Sequence, residues 1–167
     1  MLDFENINME DPIQINKGFK NIMQKFKGKL DILIICHGVF KVTSINKCSP
    51  VTFDNAMNVN VRSFLHLFSI AIPFLKLTKG NIVTISSTEA SIITKDSFLN
   101  TITKSMINSL IQCSALELAP FGVRVNGVAP GMTYTNFRVD EEFNEQQNKE
   151  YLDQMGKLFP LTNTVIV

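Results

Sequence analysis

The sequence predicts an α/β fold built on a parallel sheet. Three short apolar runs, residues 30–36, 81–86 and 122–128, alternate with segments whose apolar residues recur at helical spacing. Charged residues make up only 19% of the 167, against roughly a quarter in an average soluble domain. With 45% apolar residues and a mean hydropathy of +0.12, the composition suits a sheet covered on both faces.

Each element has its own signal. Residues 2–7 read as a first strand. Asp11-Pro12 is a helix start with proline at the first helical position. Ile15, Phe19, Ile22, Met23 and Phe26 then form one apolar stripe, which stops near Gly28. Residues 30–36, L-D-I-L-I-I-C, have the pattern of a buried parallel strand and end at Gly38. Ser49-Pro50 caps a long helix running to about Leu75, and Gly80 punctuates the next strand, N-I-V-T-I-S. A helix over 98–118 is apolar at Ile102, Met106, Ile107, Leu110, Ile111, Cys113, Leu116 and Leu118, more of its circumference than one sheet face can cover. Residues 122–128 alternate as a strand and end at Pro130-Gly131. The charge-rich stretch 138–157, carrying Val139, Phe143, Tyr151 and Met155, reads as a solvated helix, and residues 162–167 close the chain.

Composition also excludes several functions. A net charge of +1 supplies no basic field for nucleic acid or an anionic membrane surface. Cys36, Cys48 and Cys113 form no C-x-x-C pair, which points to reduced thiols in a cytoplasmic setting. With only His37 and His66 as histidine partners, no metal site is expected. The start of the chain is acidic with no apolar segment behind it, so no secretory signal is expected. Residues 64–77 contain His66, Pro73 and Lys76 and fall short of the roughly 18 apolar residues of a membrane span. Without repeats or linkers, residues 1–167 read as one unit.

Three stretches carry a resemblance: M-N-V-N-V at 57–61, N-I-V-T-I-S-S at 81–87 and S-A-L-E-L-A-P-F-G-V-R-V-N-G-V-A-P-G at 114–131. In order and spacing they resemble the short-chain dehydrogenase/reductases, from about Asn8 to about Thr135. The resemblance implies a Rossmann-like doubly wound parallel sheet with NAD or NADP across its carboxyl ends. It also implies hydride transfer to or from a small carbonyl or alcohol substrate, with proton transfer by an Asn, a Ser, a Tyr and a Lys. Asn60 matches the family's asparagine, Ser87 the serine that hydrogen-bonds the substrate oxygen, and Lys104 the lysine that binds the nicotinamide ribose and lowers the tyrosine's pKa.

The tyrosine itself is missing. Its position, four residues before Lys104 and thirteen after Ser87, holds Asn100. A phenol beside an ammonium can exchange a proton near neutral pH, whereas a carboxamide cannot. Neither Tyr134 nor Tyr151 has a strong claim to replace it. On the cofactor side, Asn8 and Met9 match the pair beside adenine, and Cys36 and Gly38 fall where the family reads N-N-A-G. Pro130, Gly131 and Thr135 match the segment at the nicotinamide carboxamide. The glycine-rich phosphate turn that follows the family's first strand has no counterpart.

Each residue also has a structural reading: Ser87 as a turn former, Asn60 as a buried amide satisfied by backbone, Lys104 as a helix-surface lysine. His37 reads as structural and Cys36 as a small core residue. In the family's strand order, 3-2-1-4-5-6, the chain would keep strands three to six, making the sheet incomplete in its first two strands and its last, with residues 30–36 at an unpaired edge. The expectation is therefore a truncated or divergent family member with little or no hydride transfer. The rivals are a non-catalytic binding or homo-oligomerisation protein, a pseudoenzyme using helices 50–75 and 98–118 as the family's dimers do, and an incomplete gene product.

Overall fold

A computed structural model describes residues 5–95, 97–139 and 144–157. Three parallel strands, β1 (Ile32–Ile35), β2 (Asn81–Ile85) and β3 (Arg124–Val128), lie in the order β1-β2-β3. Among the described residues five α-helices join and flank them: α1 (Pro12–Lys25), α2 (Pro50–Met57), α3 (Ser63–Thr78), α4 (Phe98–Leu118) and α5 (Glu145–Gly156). Of the expected first strand over 2–7, residues 2–4 lie outside the described residues and 5–7 carry no regular structure. Phe143 and residues 162–167 also lie outside.

The helix starts follow from local chemistry. Asp11 accepts from the backbone N–H of Ile13 and Gln14 at 2.8 and 3.3 Å, and Ser49 accepts from Thr52 N at 3.1 Å, each cap followed by proline. The long helix expected from Pro50 is interrupted by a π-helical turn, Asn58–Arg62, which joins α2 to α3. Such an insertion widens the backbone locally and re-aims one side chain, here that of Asn60.

Register places Leu33, Ile82 and Val125 in one row and Ile35, Thr84 and Gly127 in the next. These residues face α3 and α4, whose Phe64, Phe68, Ala71, Leu75 and Ile107 are fully buried in the same cluster, with Phe19 of α1 against it. A Cβ on Gly127 would stand 2.6 Å from Ile111 Cδ1, so glycine permits α4 to approach β3 this closely. The helical run Pro50–Thr78 is long and apolar enough to cross a membrane by length and composition. Restricting the count to residues 64–77 understates it, although the Phe64–Leu75 stripe of α3 packs against the sheet.

The other face of the sheet corrects the sequence reading. Ile32, Ile34 and Val128 are 60%, 64% and 50% exposed. Among the described residues no element covers them, so residues 30–36 form a one-sided edge strand rather than one buried on both faces. An unbroken apolar run does not reveal this, because only alternation would mark a solvated face.

Candidate active site

The loops at the carboxyl ends of the three strands enclose a cavity of about 510 Å³. After β1 it is lined by Cys36, His37 and Phe40; after β2 by Ser86, Ser87, Thr88 and Glu89; after β3 by Pro130, Gly131, Met132, Thr133, Thr135, Phe137 and Arg138. Asn100 and Lys104 of α4 form one wall, and Asn148, Leu152 and Met155 of α5 complete it.

Ser87 is extended and caps a short 3-10 turn, Thr88–Ala90, its Oγ accepting from Glu89 N at 3.1 Å. That leaves the hydroxyl proton available to an oxygen in the cavity. Lys104 is only 5% exposed, and its ammonium donates to Ile85 O at 2.8 Å. Burial lowers its pKa to about 8, because the charged form loses hydration without gaining a carboxylate. This is not a helix-surface lysine.

Asn100, 5% exposed, donates from Nδ2 to Glu89 Oε2, while its Oδ1 is buried without a hydrogen-bond partner. Glu89, 9% exposed, also accepts from Thr94 Oγ1 and is ion-paired with Arg138 Nη2 at 3.1 Å. The Arg138 guanidinium lies over the rings of Phe40 and Tyr151, at 4.2 and 5.0 Å. Sequence reading missed this cluster. Glu89 is the lone charge between residues 80 and 94, which was the available signal. Arg138 looked like the first member of a solvated run, whereas α5 behind it buries Leu152 and Asn148, the latter donating to Thr135 O at 2.8 Å.

Asn60 does not line the cavity. From the π turn its Oδ1 accepts from Val39 N and its Nδ2 donates to Val39 O, both at 2.8 Å. The amide thus fixes the loop after β1, within 3.4 Å of Thr103 Oγ1. Gly38 lies in the same place: a Cβ there would meet Asn60 Oδ1 at 3.2 Å and the Phe137 ring at 3.4 Å. Cys36, expected in the core, is instead exposed at the cavity. Asn8 and Met9 do not line the cavity; Asn8 accepts from Glu10 N and leads into α1.

His37, expected to be structural or incidental, lines the cavity with its ring 4.7 Å from that of Phe64. Ser63 Oγ gives its proton to Val59 O at 2.5 Å, which assigns His37 Nε2, at 2.6 Å, as a donor to it. Burial, aided by the Lys104 charge, lowers the His37 pKa, so the ring is neutral at pH 7.

Comparison with known proteins places this arrangement. Residues 3–165 match the family model described as enoyl-(acyl carrier protein) reductase. A chloroplastic tropinone reductase homologue of Arabidopsis thaliana is 30% identical over 155 residues, covering 92% of this chain and 47% of that one. An uncharacterised oxidoreductase of Staphylococcus epidermidis is 28% identical over 137 residues, covering 81% and 59%. Among solved structures, ElxO with NADP bound superposes at a TM-score of 0.84 with 24% identity over 98% of this chain and 65% of its own. A short-chain dehydrogenase/reductase of unknown function from Caenorhabditis elegans, with cofactor, superposes at 0.87 with 22% identity over 96% and 62%. The chain therefore spans about half the length of these curated relatives and under two thirds of these structures.

Proposed function

The chain belongs to the short-chain dehydrogenase/reductase family of oxidoreductases, and we propose that this member keeps the family's cavity but has little or no hydride-transfer activity of its own. The observation that carries this reading is the state of Asn100. Its amide is committed to Glu89, and a carboxamide holds no proton that could pass to a carbonyl oxygen near neutral pH. Glu89 cannot stand in readily, because Arg138, Asn100 and Thr94 all hold its carboxylate as an acceptor. Loss of general acid/base help costs about 10²–10⁴ in rate.

The described residues fit only part of a nicotinamide dinucleotide. Ser87, Lys104, Cys36, Pro130, Gly131 and Thr135 share one cavity, which suits the nicotinamide and its ribose. Against this, the close approach over Gly38 is filled by Phe137, and Asn8 and Met9 lie off the cavity. We expect weak NAD or NADP binding, and no catalytic step is assigned to it. Titrating NADH and NADPH by fluorescence, then assaying turnover with a panel of small aldehydes, ketones and alcohols, tests the reading. Turnover at rates ordinary for enzymes, about 1–10³ per second, would overturn it.

A second reading is favoured by the outer faces of the helices. Val51, Leu65 and Leu77 on the α2–α3 run and Met106 and Leu116 on α4 are between 42% and 81% exposed, enough apolar surface to support a homo-oligomer through residues 50–75 and 98–118. Sedimentation giving only a monomer would remove this reading. The unpaired state of Cys36, Cys48 and Cys113 is in keeping with a cytoplasmic setting.

A further inference from the structure

Lys104 occupies an unusual position for an ammonium. Its side chain is 5% exposed, it forms one wall of the cavity, and its hydrogen bond goes to a backbone carbonyl, Ile85 O. No carboxylate is paired with it among the described residues. The charged or titratable side chains sharing the cavity are Cys36, His37, Glu89 and Arg138. Glu89 is held by Arg138, and the neutral His37 donates to Ser63, so neither neutralises Lys104. The remaining walls are largely apolar, with Phe40, Ile92, Met132, Phe137 and Leu152.

We propose that Lys104 is a carbonyl-capturing amine, whose Nζ condenses with apolar aldehydes entering this cavity to form an imine. This goes beyond hydride transfer and needs no cofactor. The neutral amine attacks the carbonyl carbon, a C–N bond forms, and one nitrogen proton passes to the oxygen. The carbinolamine then loses its hydroxyl with the second nitrogen proton as one water, leaving C=N. Ser87, whose Oγ accepts from Glu89 N and keeps its own proton, is placed to donate to the carbonyl oxygen. A buried amine without a counter-charge is the environment in which lysine becomes a nucleophile. With a pKa of about 8, about 10% is neutral at pH 7, against about 0.03% for an ordinary lysine, a gain of roughly 300-fold that lower intrinsic nucleophilicity partly offsets.

The test uses the full chain with hexanal and cyanoborohydride at pH 7, which reduces any imine to a stable secondary amine read by peptide mass mapping. Lys104 is expected to label at least ~10-fold faster than the exposed lysines, with a rate that levels off above about pH 8 while theirs keeps rising. Lys104→Arg should lose the fast label and keep the slow ones. Because the mapping is done on the unaltered protein, the outcome does not depend on how the variant folds. Labelling of Lys104 no faster than that of the exposed lysines overturns the proposal.

Discussion

Replacing Arg138 by methionine tests whether the Glu89–Arg138 pair closes the cavity wall. The two side chains are 17% and 11% exposed, and their charged atoms meet at 3.1 Å. Removing one partner of a fully buried pair costs about 3–5 kcal/mol, because the other charge stays buried and unpaired. Here the stranded carboxylate keeps Asn100 Nδ2 and Thr94 Oγ1 as donors, which reduces the cost to about 2 kcal/mol. Loss of the guanidinium from the Phe40 and Tyr151 rings adds about 0.5–1 kcal/mol, while methionine keeps the apolar stem. The sum, about 3 kcal/mol, lowers the urea midpoint by roughly 1–2 M for a slope of about 2 kcal/mol/M. Urea unfolding of Arg138→Met, Glu89→Gln and the double variant forms a cycle. The double variant should be more stable than Arg138→Met alone, since the unpaired charge is gone. An Arg138→Met variant within about 0.5 kcal/mol of the parent, or a double variant at the sum of the singles, would refute the reasoning.

Other outcomes follow from single residues. Asn100→Tyr, at a site only 5% exposed and pressed against Glu89, should lose about 1–3 kcal/mol by overpacking and gain no turnover; adding Glu89→Ala should restore much of the lost thermal stability. The folded pKa of Lys104, about 8 against the 10.5 of an ordinary lysine, means that the unfolded chain binds more protons between those values, so Lys104 makes stability rise with pH across that window. The stability difference between the parent and Lys104→Met should therefore shift by about 2–3 kcal/mol between pH 7.5 and 10.5, and a flat difference in denaturation midpoints would contradict the burial of this charge. Lys79 closes α3 in a left-handed conformation, with φ at 52°, so Lys79→Gly should raise stability by about 0.5–1 kcal/mol in thermal unfolding.

Legibility in the sequence tracked how local the cause was. The α4 span Phe98–Leu118 and the caps at Asp11 and Ser49 were readable because spacing and capping act within one or two turns. The π turn was not, since five residues inside a long apolar run leave no periodicity of their own. Nor could the sequence tell the covered Leu33 and Ile35 from the exposed Ile32 and Ile34, because all four are equally apolar. At the site, Ser87, Asn100 and Lys104 were singled out through the family resemblance and share the cavity. Asn8, Met9 and Asn60 were proposed by the same logic and lie off it. Glu89 and Arg138 stand 49 positions apart, and only the packing of the segment after β3 over the strand ends brings them together.

Asn100, at the position where the family resemblance puts a tyrosine, is embedded in a set of matched contacts. A single change to asparagine would leave a void beside Lys104 and a buried amide needing partners. Here Glu89 reaches the amide, and its charge is matched by Arg138, which Phe40 and Tyr151 hold in place. The result is a closed set of interactions in which the carboxylate accepts from every neighbour. Within it Asn100 Oδ1 is buried without a donor, a cost of about 1–3 kcal/mol that a purely structural wall would not need to carry. Lys104 is left as the ammonium in the cavity with no carboxylate paired to it among the described residues, and it is on this amine that the imine chemistry proposed above depends.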